Sequence, residues 1–279
     1  MSHQGKRVLI SGGSLGTGRA LALRLAREGA HICVVARGAE ALAQTVADMK
    51  EAAGDQDTVL IARSVDVTDA SAVAAMASEV VAALGGLDLL VCNQGFARTG
   101  LVSDVPSEEF GRMMDVNFLG HAYLCRAFAP HFVEQQSGTI VLVASVLGYL
   151  GTYGYGPYAA SKWAIVGFAE CLRQELVLHG VGVKVVYPGT IDTPGLAQEN
   201  GDKPKVVWEM ESGSPFNKLR SADEVARLIL KASEGARFEN PLGWDGRFTF
   251  WASRHVPRLV RRLNDSDLRK AIKKHADDK

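Results

Sequence analysis

The chain is expected to fold as a doubly wound parallel α/β sheet in a single domain, on three observations. Short, nearly uninterrupted apolar runs alternate with longer amphipathic segments up to about residue 190, and such runs suit parallel strands buried on both faces. A glycine-rich turn joins the first run to the first amphipathic segment. The 279 residues, 47% apolar and 22% charged, match one α/β domain with ample material for a core.

The elements follow in order. RVLIS (7–11) reads as the first strand and LGTGRALALRLAREG (15–29) as the first helix, with apolar residues at three- and four-residue steps. HICVVA (31–36) and TVLIARSV (58–65) are strands flanking a helix over 39–54. LDLLVCN (87–93) follows a helix over 69–86, and GTIVLVAS (138–145) follows a long helical stretch near 107–134. VGVKVVYPG (181–189) closes the core after a helix near 158–179. Beyond residue 190 the chain turns rich in Gly, Pro and polar residues, the composition of a substrate lid over about 190–216, before a helix near 222–234. The core thus spans about 5–195, and a basic extension covers about 246–279.

Charge and cysteines narrow the class. The 31 basic and 31 acidic residues balance, so bulk positive charge does not mark a nucleic-acid binder. Cys33, Cys92, Cys125 and Cys171 lie far apart, three of them in apolar runs, which predicts a reducing compartment and no structural metal. A short polar lead runs straight into the first strand without the apolar core of a signal peptide, and no apolar run approaches a membrane-spanning length. A cytoplasmic location is expected.

The glycines Gly12, Gly16 and Gly18 follow a strand and open a helix, where they let the backbone approach a pyrophosphate and the helix N-terminus supplies free N–H groups. At the end of the second strand, where a carboxylate would bind the ribose 2′-hydroxyl of NAD, the chain has Ala36 and then Arg37. The missing carboxylate removes a repulsion and the guanidinium can pair with a 2′-phosphate, so NADPH is the expected cofactor. Further residues fall at the carboxyl edge, where open α/β sheets bind ligands: Asp66 and Val67 after the third strand, Asn93 and Gly95 after the fourth, Ser145 after the fifth, Pro188 and Gly189 after the sixth. Tyr158 and Lys162 stand four apart on one helix face, a spacing at which an ammonium lowers a phenol's pKa. Alone, that pair is an ordinary half-exposed helix face.

The glycine spacing, DV (66–67), NQG (93–95), MMDVNFLG (113–120), Ser145, YAASK (158–162) and YPG (187–189) together resemble the short-chain dehydrogenase/reductase family over about 5–195. The resemblance implies a Rossmann-type fold, with Ser145 polarising a substrate carbonyl and Tyr158 donating the proton. It makes Lys162 the group that holds the nicotinamide ribose and depresses the tyrosine's pKa, and Asn117 the anchor of a proton relay. Ser14, Leu15, Ile191 and Thr193 join the cofactor-binding set on the same basis. Ser11, Thr17 and Gln94 depart from the family's usual Thr, Ile and Ala, and nothing in the sequence explains Gln94.

The run DTPGLAQENGDKP (192–204) and LGWDG (242–246) are similar to one branch, the 3-ketodihydrosphingosine reductases. A long-chain keto lipid is then the expected substrate, with Leu196, Val206, Val207, Trp208 and Met210 for its chain and Asp192, Glu199 or Glu209 for its ammonium. Eukaryotic members of that branch carry spanning segments, so the resemblance is to a bacterial-type form. Residues 246–279 carry a net charge of +6, with Val256, Leu259, Val260 and Leu263 on one helical face. That pattern fits peripheral contact with the inner membrane surface, a solvated face, or packing on another subunit; a homo-oligomer, dimer or tetramer, is expected. Two other readings of function stand beside the first: a reductase of another bulky ketone, such as a steroid or acyl-chain ketone, and a non-catalytic NADP-binding protein.

Overall fold

Each expected apolar run becomes a strand of one parallel sheet in the computed structural model, which describes residues 3–201, 203–212 and 218–275. The strands are β1 (Arg7–Ser11), β2 (His31–Ala36), β3 (Leu60–Ser64), β4 (Leu89–Cys92), β5 (Gly138–Val143), β6 (Val181–Tyr187) and, past a separate two-stranded ladder of β7 (Ile191–Asp192) with β8 (Arg220–Ser221), β9 (Glu239–Pro241). The order across the sheet is β3-β2-β1-β4-β5-β6-β9, all pairs parallel. Chain direction across the sheet reverses between β1 and β4, which opens a crevice at their carboxyl ends.

The helices are α1 (Gly16–Arg27), α2 (Ala39–Ala53), α3 (Ala70–Leu84), α4 (Ser107–Met114), α5 (Gly120–Gln135), α6 (Gly156–Leu176), α7 (Pro194–Gly201), α8 (Lys205–Ser212), α9 (Ala222–Glu234), α10 (Gly243–His255) and α11 (Pro257–His275). They cover both faces of the sheet. In β1, Leu9 packs with residues of α3, α5 and α6, while Val8 and Ile10 pack with α1, α2 and α9. With both faces buried, alternate side chains must all be apolar, hence the unbroken runs.

The helix expected near 107–134 is interrupted by a π-turn over Asp115–Leu119, which carries the fully buried Asn117. Such bulges recur at functional sites. The expected lid consists of β7, α7 and α8, with 202 and 213–217 outside the described residues. The basic extension forms α10 and α11, and its last residues, 276–279, also lie outside them. Among the described residues no helix is long and apolar enough to cross a membrane. Cys33, Cys92 and Cys125 are buried thiols and Cys171 is exposed.

Candidate active site

The turn from β1 into α1 is shaped for close approach. Gly12 has φ +62°, and a Cβ there would lie 2.9 Å from Gln94 Cα; at Gly18 it would lie 2.0 Å from the Gly12 carbonyl oxygen. Gly16 meets Thr193, just past β7, in the same way at 3.0 Å. Leu15 precedes α1 with no side-chain cap, and the first turn holds no acidic residue, so its N–H groups and dipole remain available to an anion. Ser14 lies in this turn, its carbonyl accepting from Thr45 Oγ1 at 3.1 Å. These features fit a dinucleotide's pyrophosphate.

The rest of the predicted cofactor set lines the same edge. Arg37 is exposed just past β2, and its charge helps hold the nearby Asp66 below the usual carboxylate range, after the hydrogen bond from the Thr68 backbone N–H. Val67 is buried. Asn93 donates through Nδ2 to the carbonyls of Ser11 and Gly12, both at 3.3 Å, locking the end of β4 to the glycine turn. Pro188 accepts from Val146 N at 3.0 Å, with Gly189 half-buried after it. Ile191 packs on the α1–α2–α9 side of the core.

Gln94 acquires an explanation here. Its Oε1 accepts from Ser11 Oγ and its Nε2 donates to Nδ1 of the buried His121 at 3.1 Å, while Ser11 Oγ accepts from Asn93 N at 3.1 Å. The amide therefore braces the strand end that carries Asn93. Burial, with Lys162 adding to it, drives the His121 imidazolium well below its ordinary pKa. Residue spacing gives no signal of this 94–121 pairing.

Four side chains gather across the crevice. Ser145 accepts from Leu147 N at 3.2 Å and hydrogen-bonds the Tyr158 phenol. Asn117 accepts from Phe96 N at 2.9 Å and donates to Phe96 O at 3.0 Å and to Ser161 Oγ at 2.9 Å; Ser161 Oγ in turn donates to the Tyr158 carbonyl at 2.7 Å. Gly95 lies where a Cβ would be 3.2 Å from both Asn117 Oδ1 and Lys162 Nζ. Lys162 Nζ donates to Val143 O at 3.0 Å and stands 5.7 Å from the Tyr158 ring centroid.

Burial dominates the electrostatics of this pair. Burial pushes the Tyr158 phenol up to about 12, opposed by its Ser145 hydrogen bond and reinforced by the charge of Glu199. Burial also brings the Lys162 ammonium down to about 7. Desolvation favours the neutral form of each group.

The lid packs beside this cluster, at the head of α6. Tyr155, immediately before α6, hydrogen-bonds the carboxylates of Glu199 and Glu211, and Lys203 Nζ lies 2.9 Å from Glu199 Oε1 and 2.7 Å from Glu211 Oε2. Glu211 was not among the expected ammonium partners. Glu209, which was, turns to the C-terminal helix, 2.8 Å from Lys274, and Asp192 is exposed. A cavity of about 440 Å³ lies between residues 98–106 and the lid, lined among others by Leu101, Val105, Tyr153, Val206 and Val207. Trp208 is exposed and Val207 fully buried.

The family described as short chain dehydrogenase matches residues 6–204. A 3-dehydrosphinganine reductase of Danio rerio is 34% identical over 243 residues, covering 87% of this chain and 72% of that protein. A 3-ketodihydrosphingosine reductase of Bos taurus is 35% identical over the same shares. Among solved structures, NAD+-bound xylitol dehydrogenase superposes with a TM-score of 0.78 at 27% identity, covering 86% of this chain and 98% of that one.

Proposed function

The chain belongs to the short-chain dehydrogenase family, an oxidoreductase built for a nicotinamide cofactor, and from that premise we propose that it reduces 3-ketodihydrosphingosine to dihydrosphingosine with NADPH. The observation that carries the substrate is the likeness to reductases of that name over 87% of the chain, lid run 192–204 included.

The cofactor reading rests on the second strand's end. Ala36 presents no carboxylate against a 2′-phosphate, and the exposed Arg37 is free to reach one. Gly12, Ser14, Leu15, Gly16 and Gly18 would hold the pyrophosphate, Asp66 and Val67 the adenine, and Asn93, Gly95, Lys162, Pro188, Gly189, Ile191 and Thr193 the nicotinamide half. When bound, the cofactor supplies a hydride to the carbonyl carbon.

The chain's own residues do the remaining work. Ser145 donates a hydrogen bond to the ketone oxygen and so stabilises the charge that develops there. Tyr158, with a phenol pushed up to about 12, enters protonated at neutral pH and releases its proton from Oη to the forming alkoxide. Lys162, buried beside it with Nζ 5.7 Å from the ring centroid, would hold the ribose. Asn117 ties the π-turn to Phe96 and Ser161, which fixes the floor under Tyr158. The cavity beside the lid takes the alkyl tail along Leu101, Val105, Val206 and Val207, each buried methylene adding roughly 0.8 kcal/mol.

A panel of ketones, with NADPH oxidation followed optically, tests the reading. The long-chain amino ketone is expected to outrun a short amino ketone, a steroid ketone and a simple acyl ketone by kcat/KM, and Arg37→Ala to weaken NADPH while sparing NADH. Equal turnover of steroid or acyl ketones would remove the substrate assignment, and equal loss with both cofactors would make Arg37 structural.

A further inference from the structure

We propose that Glu199 is the specificity-determining residue for the ammonium that a substrate carries beside its ketone. This assignment rests on the amino-ketone reading above and concerns the group that recognises the amine.

Glu199 lies on α7, and its carboxylate is hydrogen-bonded by the phenol of Tyr155. Tyr155 stands three residues before Tyr158 at the head of the same helix, their ring centroids 6.0 Å apart. The carboxylate is thereby hung next to the proton-donating phenol, close enough for its charge to act on Tyr158. A ketone seated at Ser145 and Tyr158 places a neighbouring amine within reach of the same corner of the lid.

The corner already accommodates a primary ammonium. Lys203 Nζ is wholly buried between the carboxylates of Glu199 and Glu211, and lies 5.8 Å from the Tyr155 ring centroid and 5.1 Å from that of Trp208. Carboxylate oxygens and aromatic faces are the groups that recognise alkylammonium ions. Glu199 thus shares its lysine with a second carboxylate, and a carboxylate has room for several donors. Asn200 Oδ1, next along the chain, is buried without a hydrogen-bond partner among the described residues and offers a further acceptor for an N–H donor. Of the other acidic residues described in the lid, Glu211 shares Tyr155 and Lys203 with Glu199, whereas Glu209 pairs with Lys274 and Asp192 is exposed on β7.

An ammonium arriving with the substrate would add a further donor to Glu199 and offset that carboxylate's share, smaller than that of burial, in holding the Tyr158 proton. Binding of the head group and readiness of the acid are then coupled through one carboxylate.

Calorimetry with NADP+ present tests this without turnover, using dihydrosphingosine and its N-acetyl derivative as probes. Wild type is expected to bind the ammonium form about ten- to a hundredfold more tightly, the range of a charge-assisted contact. Glu199→Gln is expected to abolish that preference while keeping the affinity for the N-acetyl compound, and Glu209→Gln on the same lid to preserve the preference. The N-acetyl affinity also reports whether the variant has kept its fold. Wild type binding both probes alike or neither, or Glu199→Gln keeping the full preference, overturns the proposal. A preserved ammonium preference with no ketone turnover would instead remove the activity assigned above and leave Glu199 standing.

Discussion

At the scale of the residue, the site is a contest between burial and charge. Tyr158 and Lys162 were legible from their spacing, but their direction of titration was not, because the spacing of two residues says nothing about how deeply the fold desolvates them. Lys162, brought down to about 7 by burial, shows the consequence for stability. Its unfolded value is about 10.4, so between pH 7 and 10 the unfolded chain binds more protons than the native one, and native stability rises with pH. The cost of burying the ammonium is therefore fully present below pH 7 and relieved towards pH 10. Lys162→Met removes it: against urea, the variant is expected to gain most on wild type near pH 6 and to lose that gain by up to about 1.4 kcal/mol per pH unit between 7 and 10. A difference that stays flat with pH would mean that Lys162 keeps an ordinary ammonium. Gln94 shows the other limit of sequence reading, since its partners Ser11 and His121 sit 83 and 27 residues away and only the fold brings them together.

At the scale of the element, β1 and β2 match their expected spans residue for residue, because the interior of a strand buried on both faces is an apolar run, and α9 lies where expected, its start capped by Ser221. The short β9, Glu239–Pro241, carries no such run; it is an edge strand paired only to β6, and its sequence ENP has no apolar pattern to betray it. LGWDG, noted for its likeness to a branch, proves to be a junction. Gly243 sits at φ +76°, where a side chain would strike Arg220, and Arg220 pairs with the buried Asp245; burial pushes that carboxyl up, but its hydrogen bond and attraction to Arg220 hold it below the usual range. The basic helix α11 runs back to the lid through Lys274 and Glu209, while Leu259 and Leu263 remain more than half exposed. Those two leucines, with Arg258, Arg261 and Arg262 around the same helix, carry the proposal that α11 meets an anionic bilayer surface. The protein is expected to co-sediment with anionic vesicles at low salt and to release as salt screens the charge, the Debye length being about 10 Å at 0.1 M; failure to sediment at any ionic strength would leave α11 a solvated clasp on the lid.

At the scale of the whole molecule, the sheet order gathers the predicted cofactor and catalytic residues towards one carboxyl edge, around the switch between β1 and β4, and the lid helices α7 and α8 pack beside it at the head of α6. Alternating strands and helices made this architecture legible, since a parallel sheet with right-handed crossovers has few other ways to wind. The lid's internal bonds were not legible, as Tyr155, Glu199, Lys203 and Glu211 carry no periodicity and meet only because α7 and α8 fold back on the head of α6. On the proposed mechanism, one phenol at that edge is the acid of a ketone reduction. The most direct test compares wild type with Tyr158→Phe, each reducing 3-ketodihydrosphingosine with NADPH, by their catalytic efficiencies and by their affinities for NADPH. The variant is expected to bind NADPH as wild type does and to lose about 10²–10⁴ in rate, the loss typical of a missing general acid; a Tyr158→Phe enzyme that retained most of its activity would contradict the assignment.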